Sequence, residues 1–301
     1  MIIAQHDSRT EHFPRVLVGV CTYNEAENVQ SLLSRIVDAV PAADVLVIDD
    51  DSPDGTAELV RQFAAERAAD ASARPADPPA ADPPAADTLT NQQTGPQRSV
   101  DTGSVRVRVR TGQRGLGSAI RMAMQYAVEE GYDLFCNLDA DLSHDPADLP
   151  RLIAEAAGRS GGTEQTSSSP RVDVVIGSRY VRGGKIVGWP PYRRWMSGCL
   201  NRFTRRLLQL PVRDASGSFR CYQVDVLADL PPSHTSSNGY AFLQEVLMDL
   251  HRAGATCVEV PITFIDREAG QSKLGWREAT RSAATVVKML RQRSARSAKT
   301  S

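Results

Sequence analysis

The chain has 301 residues, 41% apolar and 24% charged, with 35 Lys and Arg against 36 Asp and Glu. That length holds one large α/β domain or two smaller ones, and it is enough to bury a sizeable core. A formal charge of −1 excludes the overall electrostatic footprint of a nucleic-acid binder, although two basic stretches occur locally.

The first 14 residues have neither a basic start nor an apolar run, so they do not read as a signal peptide. Val16–Thr22 is an apolar, β-branched run and reads as a buried strand. Glu25–Val40 places Val29, Leu32, Leu33, Ile36, Val37 and Val40 at helical spacing. Val45–Asp49 predicts a second buried strand and Gly55–Arg67 a second helix. Residues 68–104 hold six prolines among Ala, Asp, Thr and Gln, with Leu89 and Val100 the only large aliphatics. Such a segment buries too little apolar surface to offset its ordering entropy, so disorder is expected there. Val105–Arg110 alternates Val and Arg, and Ser118–Glu129 predicts a third helix. Leu134–Leu138 is a strand, Pro146–Ala157 a helix with Pro in its first turn, and Val172–Gly177 another strand. Residues 158–170 repeat the low-complexity pattern on a smaller scale. Further on, Tyr192–Arg206 is basic and amphipathic, and Val258–Ile265 is an apolar strand. The two low-complexity stretches read as insertions in a single domain spanning residues 15–278, with 279–301 a basic helix or tail.

Strand–helix alternation of this kind builds a mostly parallel sheet covered on both faces, with ligands beyond the carboxyl ends of the strands. The chemistry-bearing residues follow that rule. Asp49, Asp50 and Asp51 close the second strand, Asp139 and Asp141 the Leu134–Leu138 strand, and Arg179 the Val172–Gly177 strand. Carboxylates gathered at one edge repel unless something positive neutralises them, and a divalent metal carrying a phosphate ester would do so. Asp139 and Asp141, two apart in extended chain, point the same way, and hard oxygen donors suit Mg²⁺ or Mn²⁺. The competing reading is two ordinary loop carboxylates, one capping the helix that Pro146 starts. The alternative reading of the Asp49–Asp51 run and Ser52 is turn formers and a helix cap, although three aspartates at a buried strand end are more than a turn requires. Arg114-Gly115-Leu116-Gly117 lacks the third glycine of a dinucleotide fingerprint, since Ile120 stands there, and reads as a tight turn with close helix packing.

Five cysteines (Cys21, Cys136, Cys199, Cys221, Cys257) fit neither a disulfide framework nor a zinc site, and a reduced, cytosolic compartment follows. No apolar run approaches the roughly 20 residues that span a bilayer. Residues 277–301 carry seven Lys and Arg against one Glu. With Tyr192–Arg206, they point to peripheral attachment at the cytoplasmic face of an anionic membrane. A core-facing helix with solvated arginines and a plain basic tail are the alternatives.

The ordered segments TYNEAEN, DDDSPDGT, RGLGSA, DADLSHDP, GSRY, RDASGSFRCY and DREAGQSKLG, from about Val16 to Gly275, resemble glycosyltransferase family 2. Within it they resemble the dolichol-phosphate (polyprenol-monophosphate) mannosyltransferases. The resemblance implies a GT-A fold, a mostly parallel central sheet with helices on both faces. It also implies GDP-mannose as donor and a polyprenyl monophosphate as acceptor. On this chain Cys21, Tyr23, Glu25, Ile48 and Asp50 would hold the nucleotide, with Asp139 and Ala140. Metal and diphosphate would meet at Asp139 and Asp141, and Arg179, Arg267 and Lys273 would hold the phosphates. Asp141 and Arg179 would carry catalysis. Cys21 stands where the family commonly has Pro, and Asp51 where it has Gly or Asn. Ser143 takes a place that is a metal-binding Gln in some members, and its shorter hydroxyl would act through water. A UDP-glucose-dependent glucosyltransferase and a non-catalytic nucleotide- or membrane-binding member are the alternatives. A phosphate monoester is largely ionised at neutral pH, given a second pKa near ~6, so it attacks without a general base. In-line attack would invert the anomeric carbon.

Overall fold

The computed structural model describes residues 13–73, 102–158, 171–230 and 241–266. In chain order the first half contains β1 (Val16–Thr22), α1 (Val29–Ala39), β2 (Asp44–Asp49), α2 (Thr56–Ala73), β3 (Val105–Val109), α3 (Leu116–Glu129) and β4 (Leu134–Asp139). A 3₁₀ turn (Pro146–Asp148) then leads into α4 (Leu149–Ala156). β5 (Val174–Ser178), β6 (Lys185–Val187), α5 (Pro191–Leu207), β7 (Arg220–Gln223), α6 (Val224–Ala228), α7 (Ala241–Arg252), β8 (Cys257–Pro261) and β9 (Thr263–Ile265) complete it.

Seven strands form one sheet in the order β3-β2-β1-β4-β7-β5-β8, parallel except for β7, which runs antiparallel to both neighbours. β6 and β9 make a small parallel pair beside it. Successive side chains of a strand face opposite ways, and β1 shows the result. Leu17 joins Leu46, Ile48, Ile120, Ala123 and Phe242 in the layer under α3 and α7. Val18 and Val20 join Leu32, Leu33, Ile36 and Leu149 in the layer under α1 and α4. Gly19 lets α3 come close: a Cβ there would lie 2.7 Å from the Phe135 ring and 3.3 Å from the Ala123 Cβ.

The pairing register aligns the strand exits. Thr22 pairs with Asp49 and Cys21 with Asp139, so the loops after β1, β2 and β4 open at one edge. The expected helix from Glu25 begins instead at Val29, because the Glu25 carbonyl accepts the Asn28 and Val29 N–H groups in a preceding turn. Residues 68–73, expected to be disordered, extend α2. At the other end of that segment, Ser104 donates its N–H and hydroxyl to Asp44 (2.7 and 2.6 Å) and accepts from Val45. The first end is ordered as a continuation of α2, and the second because strand pairing and the Asp44 carboxylate supply local partners; residues 74–101 and 159–170 lie outside the described residues. Val258–Ile265 divides into β8 and β9, which pair with different partners, β5 and β6.

Candidate active site

The loops after β1 and β2 are sewn together. Three successive N–H groups donate across: Asn24 to Ser52 Oγ, Glu25 to Thr56 Oγ1 and Ala26 to Asp54 Oδ2, each at 3.0 Å. Asp49, fully buried, accepts from Thr22 Oγ1 (2.7 Å) and from the N–H and hydroxyl of Ser52 (2.8 and 2.6 Å). Asp49 and Ser52 therefore do the work of turn formers. Asp51 stays exposed with φ +59°, a conformation that Gly and Asn also favour.

Asp50 has a different partner. Arg110, buried at the end of β3, donates Nε to its Oδ1 at 2.8 Å, with Nη2 on the same oxygen, and Gly115 N–H reaches Oδ2 at 2.7 Å. Arg110 also donates to Ser118 Oγ at 2.8 Å. The turn read from Arg114–Gly117 thus serves a carboxylate at the sheet edge. Sequence reasoning placed Arg110 only as a strand end; its signal was a third Arg in the alternating Val-Arg run, on the same face as Arg106 and Arg108. Tyr23 is exposed, with the Arg114 guanidinium 4.7 Å above its ring. Ile48 points into the core. Cys21 packs at its border, where burial and then Asp139 push its thiol pKa up.

After β4, Asp139 keeps its side chain 17% exposed, and Ala140 packs into the core. Asp141 is buried and accepts from Ser143 N–H (3.0 Å) and Ser143 Oγ (2.5 Å), both on Oδ1. The Ser143 hydroxyl is donated to Asp141. Beneath them His144 is buried between the Phe219 and Phe264 rings, its Nδ1 4.0 Å from Asp139 Oδ2. Burial, then the Arg179 cation, lowers its pKa to about 4, so it is neutral at neutral pH. Among the described residues no cluster of three or more His, Cys, Asp or Glu gathers to hold a metal. Two hard carboxylates at a rim fit a cation that completes its shell with phosphate oxygens and water.

The cation after β5 is braced. Arg179 forks onto Asp214, Nε to Oδ2 at 2.8 Å and Nη2 to Oδ1 at 2.9 Å, and reaches Ser216 Oγ at 2.8 Å. Burial alone would raise the Asp214 pKa, yet Arg179 and hydrogen bonds from Arg179 and Gly217 hold it down at about 2. Glu259 on β8 in turn accepts the N–H groups of Arg213 (2.7 Å) and Asp214 (2.8 Å). Arg220, fully buried on β7, closes the same loop by donating to the carbonyls of Gly217 (2.9 Å), Ala215 (3.0 Å) and Leu243 (2.8 Å).

α5 divides its basic residues unequally. Arg193, read as a surface cation, turns inward: Nη1 donates to both oxygens of Asp266 at 3.0 Å, and the guanidinium lies 4.1 Å from the Trp189 ring. Trp195 and Phe203, on the face read as lying on a membrane or alternatively facing the core, are 68% and 46% exposed, and Tyr192 is 65% exposed. Asp266 marks where the chain leaves the described residues, so Arg267, Lys273 and the basic 279–301 segment lie outside them. No helix among the described residues is long and apolar enough to cross a membrane.

The sequence model described as "Glycosyl transferase family 2" matches residues 17–72 and 92–230, which include every loop of this edge up to β7. The chain belongs to glycosyl transferase family 2. It is 37% identical over 260 residues to a protein of Micrococcus luteus named undecaprenyl-phosphate mannosyltransferase, covering 86% of this chain and 87% of that one. It is 34% identical over 261 residues to the polyprenol monophosphomannose synthase of Mycolicibacterium smegmatis, covering 86% and 81%. Among solved structures, the glucosyl-3-phosphoglycerate synthase of Mycobacterium tuberculosis with Mn²⁺ and UDP aligns with a TM-score of 0.56 at 14% identity, covering 93% of this chain and 80% of that one. A mannosyltransferase of Pyrobaculum calidifontis with GDP-mannose and Mn²⁺ aligns with a TM-score of 0.51 at 18% identity, over 90% and 61%. These two likenesses establish the GT-A fold.

Proposed function

We propose that this family 2 enzyme transfers mannose from GDP-mannose to a polyprenyl monophosphate, with inversion. The observation that carries the reading is the meeting, at one sheet edge, of the Asp139/Asp141 pair with the carboxylate-braced Arg179, in a chain similar along most of its length to two mannosyltransferases of that class. Asp139 and Asp141 would hold Mg²⁺ or Mn²⁺, whose chemistry there is Lewis-acid neutralisation of the leaving diphosphate. Ser143 orients Asp141 by donating to it, a role for the hydroxyl other than ligation. Arg179, fixed by Asp214, offers its remaining donors to a phosphate without losing side-chain entropy on binding. Arg267 and Lys273 would join it. The Asp50–Arg110 pair shapes the nucleotide end of the site, with Cys21 near the end of β1 and Tyr23 and Glu25 on the adjoining loop.

No general base is required. The acceptor monoester is already anionic at neutral pH, and among the described residues the imidazole beside the carboxylates, His144, is buried and neutral. What the protein supplies is the approach of two anions and an environment for the departing one. The prenyl tail needs a bilayer, and the exposed Tyr192, Trp195 and Phe203 of α5, among Arg194, Arg202 and Arg206, suit peripheral attachment at the cytoplasmic face.

The test incubates purified protein with Mg²⁺, a short polyprenyl phosphate and labelled GDP-mannose or, separately, UDP-glucose. Mannosyl-lipid formation from GDP-mannose, lost in Asp141→Ala, is the expected result. Glucose transfer alone would overturn the donor and keep the fold and mechanism.

A further inference from the structure

We infer that the cavity between α5 and the loop after it, beside the acceptor site proposed at Arg179 whose guanidinium lies 5.4 Å from the Tyr180 ring, is a binding site for the phosphate headgroup of an anionic phospholipid. The cavity has a volume of about 430 Å³ and is lined by Tyr180, Gly198, Asn201, Arg202, Arg205 and Arg213. The inference rests on the reading of α5 as the membrane-facing helix.

Three observations converge on an anion. First, Arg202, Arg205 and Arg213 all line the cavity, and among the described residues none of these side chains makes a hydrogen bond or ion pair. Arg202 and Arg213 are exposed, so their donors are open to a ligand, and guanidinium forks match phosphate oxygens in geometry. Second, the wall is built rather than incidental. Arg213 is pinned on both sides of its backbone: its N–H donates to Glu259 Oε2 at 2.7 Å, and its carbonyl accepts from Asn201 Nδ2. Asn201 Oδ1 also accepts the Ala215 N–H at 3.0 Å, tying the loop to the helix. Third, Gly198 sits inside the 17-residue α5, where glycine costs roughly 0.5–1 kcal/mol relative to alanine. No neighbour demands it, since a Cβ at that position would meet nothing within 4 Å. The missing side chain leaves open space in the lining of the cavity.

The helix also says which anion. Gly198, Asn201, Arg202 and Arg205 recur at spacings of three and four, one stripe of α5. The neighbouring stripe carries Trp195 and Phe203, exposed by 68% and 46%. Aromatic side chains beside paired arginines are the arrangement of a helix lying at the headgroup level. A phosphate in the cavity would then sit where the headgroup layer meets the protein.

General attraction to a charged surface treats every arginine alike, whereas a site does not. Full-length protein is sedimented with vesicles of phosphatidylcholine alone or mixed with phosphatidylglycerol. Arg205→Gln/Arg213→Gln removes two cavity charges. Arg194→Gln/Arg206→Gln removes two from the same region outside the cavity. Gly198→Leu adds a side chain to the cavity lining without changing charge and raises helix propensity, so it retains the fold. Partition into phosphatidylglycerol vesicles is expected to fall at least about fivefold further for the cavity pair than for the outer pair, and roughly fivefold for Gly198→Leu. Equal losses for the two pairs, with Gly198→Leu binding like wild type, would overturn the site. If inorganic phosphate raises the melting temperature of wild type and not of Gly198→Leu, while both bind vesicles alike, the occupant is the free ion and the headgroup assignment falls. Mannosyl transfer to a detergent-solubilised acceptor is followed in parallel. Its absence in wild type would sink the proposed activity and leave the vesicle comparison standing.

Discussion

Asp214→Asn isolates the brace behind Arg179. The pair is enclosed, with side-chain exposures of 8% for Arg179 and 0% for Asp214. The carboxyl is held at about 2 instead of its ordinary 3.9, which corresponds to about 2–3 kcal/mol of folding stability at neutral pH. Removing one member of a buried pair costs ~3–5 kcal/mol by analogy, because the other charge is left uncompensated. The variant should therefore lose about 2–5 kcal/mol in urea denaturation at pH 7. The folded-state pKa lies below the unfolded one, so the contribution is complete above pH ~4 and disappears as pH falls towards 2. Wild-type and variant stabilities should converge over that window and run parallel above it. Transfer rate should also fall more than donor affinity if Arg179 holds the phosphates as proposed. A loss under about 1 kcal/mol at pH 7, or curves that stay parallel down to pH 2, would refute the brace.

Asp141→Ala should lower kcat by roughly 10²–10³ with an unchanged circular dichroism spectrum, and a chelator should abolish wild-type transfer until Mg²⁺ or Mn²⁺ is returned. Gly19→Ala pushes a methyl to 2.7 Å from the Phe135 ring and should cost about 1–3 kcal/mol, read as a lower urea midpoint. Arg110→Gln strips Asp50 of its buried cation; a stability loss of ~3 kcal/mol and weaker GDP binding by calorimetry are expected.

The parts of this site that are local in sequence were legible. Val16–Thr22, Val45–Asp49 and Leu134–Leu138 read as buried strands because nearly every residue is apolar, and the acids that follow them lie at the edge where parallel sheets bind ligands. What was not legible depends on pairing across the chain. Arg110 finds Asp50 only because β3 docks beside β2, and Asp214 finds Arg179 across 35 residues. β7 was missed as an element: Arg220-Cys221-Tyr222-Gln223 carries a buried Arg that no hydrophobic pattern would place inside. Its charge is tolerated because three backbone carbonyls accept from it, a satisfaction that exists only in the folded loop. The two faces of α5 were merged for a related reason. Helical spacing groups Arg193 with the surface cations, but Asp266, 73 residues away, draws it inward.

Backbone geometry at the strand exits points the same way as the side chains. Asn24, Asp51 and Leu142, following β1, β2 and β4, all adopt left-handed φ of 59°, 59° and 60°. Asn and Asp tolerate this region, whereas Leu pays roughly 1–2 kcal/mol for it. Leu142 lies between Asp141 and Ser143, and its turn is what lets both Ser143 donors reach one oxygen of Asp141. Strain of this kind persists where the surroundings over-determine it, and here Leu142 packs against the layer beneath α1 and α4. Leu142→Gly should then relieve the backbone and lose the packing, changing stability by less than about 1 kcal/mol. Transfer should still fall, because glycine frees the loop that aims Asp141. A variant with full activity would show that the turn merely connects β4 to α4 and that Asp141 is oriented without it.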